Sequence, residues 1–597
     1  MTVFTDAELH VAPDAVEAGE RLAFLRRVCY QRAMSRRFSL LVWIIALLFF
    51  GCFLVWPIVQ SLRGAFLDPN GALTFSYFAE IFRNRIYVEG LRNALLLALA
   101  STAATFAIAM PLAWLADRFD FPGKKIFATL LLVPMILPPF VGAIGVRRML
   151  GQMGAFNALL HHLGLLAPDA TIDWLGRGRF WGCVILNALH LYPVLYLNLV
   201  AALANIDPAM EEAAENLGCT GFRKFRKITL PLIMPGIFAG GTIVFIWAFT
   251  ELGVPLMFDY LRVTPVQIFY GIKEIGGNPL PYALVVVTLA ATALLYLASK
   301  LIFGRTSHAM LTKASTASVS RPARGWRAIL CLSAFAGISL LALLPHIGVV
   351  LTSFASDWYG TLLPEGWTLS HYQTALGHEL TVPSIINSLK YASISTIIDV
   401  LLGIAIAFVL VRTRVAGRAL LDALAMLPLA VPGLVLAFGY VAMTQEGKAF
   451  AFLNPTRDAT ALLIIAYSVR RLPYTVRSAA AGLQQTSVTL EETAQNLGAS
   501  PLRALRKITL PLIAANLIAG GLLAFSFAML EVSDSLILAQ KSVDFPITKA
   551  IYELFQLLGE GRYVASALGV WAMVFLALTI LAASRVMGKK LGALFRM

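Results

Sequence analysis

Charged side chains are scarce in this chain of 597 residues, and cysteines are scarcer still. Asp, Glu, Lys and Arg make up 14% of the residues, whereas a soluble domain usually carries about 25%. The five cysteines are isolated from one another, and none belongs to a C-x-x-C pair. These shortages exclude a string of ordinary soluble domains, and they argue against a disulfide framework or a zinc site.

Two sequence motifs are also missing. No G-x-x-x-x-G-K-[ST] loop is present to cradle phosphates, and the nearest candidate, at 122–125, lacks the pattern. The chain is therefore not expected to hydrolyse ATP or to hold a cofactor of its own. Residues 1–37 lack the apolar core of a cleavable signal peptide, and we expect a cytoplasmic N-terminal segment. Its basic residues include Arg26, Arg27, Arg32, Arg36 and Arg37.

Long apolar runs are what the chain does have. Hydrophobic residues make up 58% of it, the mean hydropathy is +0.76, and a helix needs about 20 apolar residues to cross a membrane. We predict an all-α integral membrane fold with two tandem halves of six spans, at 38–304 and 327–597, joined by a cytoplasmic linker at 305–326. The twelve spans lie near 38–62, 91–116, 126–148, 178–203, 232–258, 281–304, 327–353, 386–411, 419–443, 460–482, 512–538 and 564–586.

The basic residues indicate how the spans are oriented. The net charge of +15 comes from short basic clusters beside apolar runs, as expected for cytoplasmic loops and not for a nucleic-acid surface. An arrangement with both termini in the cytoplasm puts nearly all of these clusters on that side. Arg147 and Arg148 are the exception, because they end the third span on the outer side. Six spans per half give both halves one orientation, which predicts a parallel pseudo-two-fold axis along the membrane normal.

One polar loop occurs in both halves. The stretch EEAAENLGCTGFRKFRKITLPLI at 211–233 returns at 491–513 as EETAQNLGASPLRALRKITLPLI, displaced by 280 residues. The paired acids favour a helix N-terminus, Pro208 suits the first turn of that helix, and Gly218 and Gly498 suit the turn that ends it. The flanking spans have diverged further than this loop. We therefore expect one docking site in each half for a two-fold partner.

The repeated loop resembles the signature of the permease subunits of binding-protein-dependent ABC importers. In that signature an E-A-A element is followed by Gly and then by I-x-L-P. Only Thr493 departs from it, by a small-for-small change. The matching residues are Glu212, Ala213, Ala214, Gly218, Ile228, Leu230 and Pro231 in the first copy, and Glu492, Ala494, Gly498, Ile508, Leu510 and Pro511 in the second.

The resemblance implies a function and a set of partners. Such loops form coupling helices that dock on nucleotide-binding subunits, and the spans then open alternately to the two faces of a bacterial inner membrane. The implied partners are a separate homodimeric ATP-binding cassette subunit, which holds ATP-Mg, and a periplasmic solute-binding protein. The candidate coupling residues are Glu211, Glu212, Ala213, Ala214, Gly218, Glu491, Glu492, Thr493, Ala494 and Gly498.

Two further segments make the chain similar to the fused ferric-iron permeases and to relatives that handle 2-aminoethylphosphonate and other small solutes. One is RLPYTVR at 471–477, and the other is the Pro-rich third span around 137–143, matched at 429–433. The resemblance implies that the solute is ferric iron or a small anionic phosphonate or phosphate compound.

Several charged residues fall inside the predicted spans, where each costs about 2.5–3.5 kcal/mol on insertion scales. The 280-residue offset pairs His190 with Arg470, and Glu251 with Glu531. Two interpretations stay open: these residues line the translocation path or its gate, or they form buried ion pairs that lock the helices, as Glu531 would with Arg470. The candidate gate residues are His190, Glu251, Arg470, Arg471, Glu531, Asp534, Arg147 and Arg148, with Asp534 expected one turn beyond Glu531 on the same helix face.

Arg147 and Arg148 have no basic counterpart in the second half. At an outer mouth they would attract an anionic solute, whereas at the membrane surface they would extend toward lipid headgroups. Bare ferric iron calls for carboxylates and tyrosines, and a phosphate-bearing solute calls for arginines. The arginine pair therefore tilts the expectation slightly toward an anion or a chelated metal.

Two other classes of protein fit parts of the sequence. An ion-coupled secondary transporter also has twelve spans in two halves, but it has no ATPase for the repeated loop to dock on. A membrane enzyme needs a cluster of His, Cys or carboxylate groups, and His190 is the only histidine expected deep in a span, since His161, His162 and His371 fall in outer loops. We therefore favour a transport subunit with no catalytic residue and no metal site.

Overall fold

The computed structural model describes residues 38–135, 138–167, 169–303 and 321–587, and these residues are mainly helical. Residues 1–37 and most of the predicted linker lie outside this part of the chain. Within it, nine helices and one bent helix pair are long and apolar enough to cross a membrane. The nine are Phe38–Phe66, Arg85–Arg118, Phe180–Leu203, Gly221–Phe249, Leu280–Ala298, Trp326–Phe354, Thr381–Arg412, Pro501–Met529 and Gly561–Thr579.

The other predicted spans are interrupted or unusually polar. The third consists of Lys124–Leu130, Val133–Met135 and Pro139–Leu150, because prolines cannot continue a regular helical hydrogen-bond ladder. The ninth is the bent pair, Arg418–Ala430 and Gly433–Met443, with 99° between its two helices. The tenth is one helix, Thr460–Gln485, that carries three arginines.

The fifth and eleventh spans end earlier than the sequence predicts. The helix of the fifth stops at Phe249, and the short helix Gly253–Met257 follows it. The helix of the eleventh stops at Met529, and Ser533–Leu538 follows. The prediction of continuous spans to 258 and 538 is therefore wrong. Hydropathy does not reveal these breaks because most of the residues across them remain apolar.

Three long helices form the centre of each half. In the first half Arg85–Arg118 packs along Phe180–Leu203, and Leu230–Phe249 contacts both. The second half repeats this arrangement with Thr381–Arg412, Thr460–Gln485 and Leu510–Met529. The duplication in the sequence is therefore a duplication of the fold, and the predicted pair of all-α membrane halves is confirmed.

The first span of each half packs against the last helix of the interrupted third span of the other half. Phe38–Phe66 contacts Gly433–Met443, and Trp326–Phe354 contacts Pro139–Leu150. The hydroxyl of Tyr440 donates a hydrogen bond of 2.7 Å to the carbonyl oxygen of Phe53 at the first of these crossings. Each half is therefore completed by a helix from the other.

Glycines allow both crossings to be close. A Cβ atom on Gly145 would lie 1.8 Å from the carbonyl oxygen of Pro345, and one on Gly439 would lie 2.6 Å from that of Pro57. Only glycine permits such an approach of two backbones. The two glycine–proline contacts occupy matching places in the two halves, as the predicted parallel pseudo-two-fold relation requires.

Shorter elements complete the described chain. The predicted outer loops carry the helices Ala155–His162 and Ser370–Gly377. A two-residue parallel pairing joins Phe119–Asp120 to Arg321–Pro322, so the described end of the linker contacts the loop after the second span. The remaining helical segments are Gly51–Val55, Trp56–Phe66, Ser76–Arg83, Arg177–Arg179, Pro208–Asn216, Gly221–Lys224, Phe225–Thr229, Thr264–Gly271, Ile272–Glu274, Leu280–Phe303, Ala451–Leu453, Val488–Asn496, Pro501–Ala504, Leu505–Thr509, Ser542–Asp544, Ile547–Gln556 and Gly561–Met587.

Candidate coupling loops and interior charges

Each repeated loop begins with a short helix whose two ends are capped. Pro208–Asn216 starts behind Asp207, whose side chain accepts a hydrogen bond from the Ala209 amide. Val488–Asn496 starts behind Ser487, which caps the Thr489 amide in the same way. Such caps satisfy amides that have no partner within the helix. Both helices end as predicted, at glycines with positive φ, 77° for Gly218 and 92° for Gly498.

The first glutamate of each pair points inward, to an arginine at the end of a long span. Glu211 bonds to Arg118, the last residue of Arg85–Arg118, and also accepts a hydrogen bond from Thr229 at 2.8 Å. Glu491 accepts one from Arg412 at 3.1 Å. Burial opposes the charge on Glu211, but the bonds from Arg118 and Thr229 outweigh it and lower the pKa of the Glu211 carboxyl. These ion pairs hold the loops against the bundle.

The second glutamate of each pair points outward. Glu212 and Glu492 are exposed, as are Ala213 and Thr493 at the next position. Ala214 is buried and Ala494 is partly buried. The two acids of the E-E pair therefore have different environments, which their adjacency in the sequence does not reveal.

Large apolar side chains are exposed at three matching places on the two loops. Leu217 and Leu497 are 86% and 85% exposed, and Phe222 and Leu502 are 77% and 74% exposed. The third pair is Met210 and Leu490. Exposed apolar side chains that cluster on one surface mark an interaction site.

Each loop joins the next span through a single π-helical turn. The turns are Phe225–Thr229 and Leu505–Thr509, 280 residues apart, and both fall in the repeated R-K-I-T sequence. Thr229 and Thr509 are buried in them. Such turns are frequent at functional sites. The helix runs unbroken through each turn, as Gly221–Phe249 and Pro501–Met529, so the end of the loop and the span behind it form one continuous element in both halves.

In the second half the candidate gate residues form one ionic network. Arg470 contacts Glu531 at 2.8 Å and Asp534 at 3.5 Å, and Arg471 bonds to the other oxygen of Glu531. The predicted contact between Glu531 and Arg470 is thus present. The expected shared helix face is wrong, because Glu531 precedes the short helix that contains Asp534. Arg470 packs tightly on Gly433, where a Cβ atom would lie 1.8 Å from its guanidinium.

In the first half the corresponding residues bond to the backbone. Glu251 accepts hydrogen bonds from the amides of Gly253 and Val254 at 3.1 and 3.2 Å, at the start of a short helix whose dipole favours an anion. His190 donates from Nδ1 to the carbonyl oxygen of Pro134 at 2.8 Å. The structure therefore brings the four candidate gate residues of the second half together. In the first half, His190 and Glu251 do not contact each other, and each bonds to the backbone.

Two buried ionisable residues within the predicted spans were not singled out from the sequence. Asp399, in the eighth span, is fully buried, and neither carboxylate oxygen has a hydrogen-bond partner within the described chain. His346, in the seventh span, is 7% exposed, so the expectation that His190 is the only deep histidine is wrong. In the sequence, Asp399 and His346 each stand alone within an apolar run, and this pattern could have identified both. Among the described residues, no group of three or more His, Cys, Asp or Glu is placed to hold a metal ion.

Arg147 and Arg148 lie apart from this network, against loops of both halves. Arg147 donates to the carbonyl oxygen of Met257 at 2.6 Å and contacts Asp259 at 3.0 Å. Arg148 donates to the carbonyl oxygen of Trp358 at 2.8 Å, and its guanidinium lies over the ring of Tyr563. These protein contacts differ from the predicted extension toward lipid headgroups. Arg147 and Arg148 line one cavity together with Arg179 and Arg562, which the sequence did not single out.

Several known proteins are similar to this chain. The putative ferric transport system permease protein FbpB 1 of Haemophilus influenzae is 29% identical, over 83% of this chain and 76% of that one. The ferric transport system permease protein FbpB of Actinobacillus pleuropneumoniae is 28% identical, over 82% and 70%. A solved bacterial ABC transporter involved in the import of the acidic polysaccharide alginate covers 48% of this chain and 99% of its own, with 20% identity and a TM-score of 0.37.

The family profile described as the binding-protein-dependent transport system inner membrane component matches the chain twice, at 105–310 and 399–591. Each match contains one repeated loop and the long helices around it. The chain is therefore a multi-pass membrane protein and a transport component, and it belongs to the family of binding-protein-dependent ABC importer permeases, in a tandem fused form.

Proposed function

We propose that this permease passes a small solute from a periplasmic binding protein to the cytoplasm by alternating access. A separate homodimeric ATP-binding cassette subunit docks on the two loops and hydrolyses ATP-Mg. Both termini lie in the cytoplasm with the loops. The proposed solute is ferric iron or a small anionic phosphonate or phosphate compound. Two relatives are named as ferric transport permeases, and the pair Arg147 and Arg148 favours an anion.

The duplicated apolar surface on the coupling loops carries this proposal. Leu217 and Leu497 are more than four-fifths exposed, and full burial of a leucine side chain contributes about 1.5–3 kcal/mol. Two equivalent surfaces on a pseudo-symmetric chain fit a partner that has two equivalent grooves. The exposed carboxylates Glu212 and Glu492 add charge beside each surface.

Movement of the docked partner would reach the spans through the elements behind the loops. Arg118 and Arg412 tie the loop helices to the second and eighth spans, and the π-helical turns join the loops to the fifth and eleventh. We infer that the Arg470–Glu531 network is part of the gate and holds the helices in this conformation. Its side chains bond to one another, so solute contact would require them to separate.

Co-purification tests the docking step directly. The full chain should retain a tagged homodimeric ATP-binding cassette subunit, and Leu217→Asp with Leu497→Asp should abolish that retention, because each change places a charge in a groove. A single substitution should weaken retention by about tenfold or more. Leu558→Asp is the matched control, since Leu558 is 98% exposed in a loop before the twelfth span.

Uptake into vesicles separates this proposal from an ion-coupled transporter. Solute uptake should require the ATPase subunit and the binding protein and should persist when ion gradients are collapsed. Uptake by the chain alone, driven by a gradient, would refute the proposal.

A further inference from the structure

A cavity of about 600 Å³ lies between the two halves, at the end of the third span. The first half contributes Arg147, Arg148, Arg179 and Asp259 to its wall, and the second half contributes Arg562 along with two aromatic residues. Binding sites for small molecules commonly have volumes of about 300–1,000 Å³. In the proposed topology this cavity opens on the outer side, where a solute would enter.

Positive charge predominates in the wall. Four arginines line the cavity but only two carboxylates, Asp173 and Asp259. Asp259 already pairs with both Arg147 and Arg179, and Asp173 accepts a hydrogen bond from the Gly176 amide. Within the described chain, Arg148 and Arg562 have no carboxylate partner.

The guanidinium groups of the cavity wall are crowded together. Arg147 and Arg562 both lie over the ring of Phe555, with distances of 5.4 and 6.0 Å to its centroid. The Nε atom of Arg148 is buried and has no hydrogen-bond partner among the described residues. Like charges held together are unfavourable, and an anion between them would offset that cost.

The backbone is strained at the same place. Arg179 and Asp259 have φ angles of 62° and 53°, and they are the two residues other than glycine with positive φ in the described chain. Such residues cost free energy and cluster at functional sites. The two strained residues form an ion pair with each other, and this pair holds one wall of the cavity in place.

We propose that this cavity is an entry site for a soluble oxyanion, with Arg148 and Arg562 as its principal donors. The solute class is then a phosphate, a phosphonate, a carboxylate or an anionic metal chelate, and a bare ferric cation is disfavoured by the four guanidinium groups. The proposal rests on the proposed function, because it assumes that the cavity faces the side from which solute arrives.

Calorimetry on the full chain in phosphatidylcholine nanodiscs tests the site. The probes are inorganic phosphate, 2-aminoethylphosphonate and citrate. We expect at least one to bind, and Arg562→Gln and Arg148→Gln to weaken its affinity by about tenfold or more each, the loss expected for a charge-assisted hydrogen bond. Arg562 is exposed, so its variant should fold even if Arg148→Gln does not. Arg457→Gln is the control, since Arg457 pairs with Glu446 outside the cavity, and it should bind the same probe unchanged.

Three results would overturn the proposal. The first is that none of the probes binds, or that they bind equally to the wild type and to Arg562→Gln. The second is that only nanodiscs with anionic phosphatidylglycerol respond to the Arg562 change, which would assign the arginines to a lipid phosphate. The third is that Arg562→Gln abolishes docking of the binding protein while no oxyanion binds. Retention of the ATPase subunit is measured in parallel, so failure of this site is distinguished from failure of the proposed function.

Discussion

The two halves are alike at their repeated loops and unlike in their interiors. Both loops have a capped helix, a buried glutamate bonded to an arginine, an exposed apolar surface and a π-helical turn. The interior positions at the same offset differ, since Glu531 holds two arginines whereas Glu251 bonds to two backbone amides. The proposed two-fold partner would constrain both loops equally. The proposed single pathway between the halves would impose no such requirement on its two walls.

Removal of charge from the interior should have the largest effect and should differ between the halves. Glu531→Gln leaves Arg470 and Arg471 buried without their shared carboxylate, and loss of one partner from a buried ion pair costs about 3–5 kcal/mol. Glu251→Gln is the matched control, and it should cost about 1 kcal/mol or less, because its amide oxygen still accepts backbone hydrogen bonds. Unfolding in detergent measures both. Equal losses would contradict the asymmetry.

The crossings between the halves should be sensitive to a single methyl group. Gly145→Ala places a Cβ atom 1.8 Å from the carbonyl oxygen of Pro345, and forced overpacking costs about 1–3 kcal/mol. Gly439→Ala should behave similarly, because its Cβ atom meets Pro57 at the equivalent crossing. Gly337→Ala, on the seventh span with no atom within 4 Å, is the control and should not lower the unfolding temperature. If Gly145→Ala and the control Gly337→Ala unfold at the same temperature, the two backbones do not approach each other as closely as described.

The ion pairs behind the loops should show a more local effect. Arg412→Gln removes the bonds to Glu491 and to the carbonyl oxygen of Thr486, and bonds to charged groups contribute about 1.5–3 kcal/mol. Arg118→Gln should cost less, because the Arg118 side chain is 27% exposed and that of Arg412 is 6% exposed. Hydrogen exchange at 488–496 and 208–216 measures the loosening of each loop helix. Unchanged exchange in both would show that the arginines do not hold the loops.

The spans and the loops could be located from the sequence because each corresponds to a pattern of neighbouring or repeated residues. Apolar runs marked the spans, and the 280-residue offset marked the loops and singled out Arg470 and Glu531, whose contact was expected under one of the two open interpretations. It could not distinguish Glu211 from Glu212, because the partner that buries Glu211 is Arg118, 93 positions away. The cavity was equally hidden, since Arg148, Arg179 and Arg562 come from distant segments that only the packing of the halves brings together.

The outward-facing glutamates should have the smallest effect on stability and a distinct effect on function. Glu212→Gln with Glu492→Gln should leave the unfolding temperature unchanged, because both side chains are exposed, yet it should uncouple ATP hydrolysis from uptake if these carboxylates contact the ATPase subunit. Glu215→Gln is a control on the same helix, because Glu215 is exposed but already bonded to Lys224. Normal uptake in the double variant would restrict docking to the apolar surface and would leave Glu211 and Glu491 as the acids that the loops need.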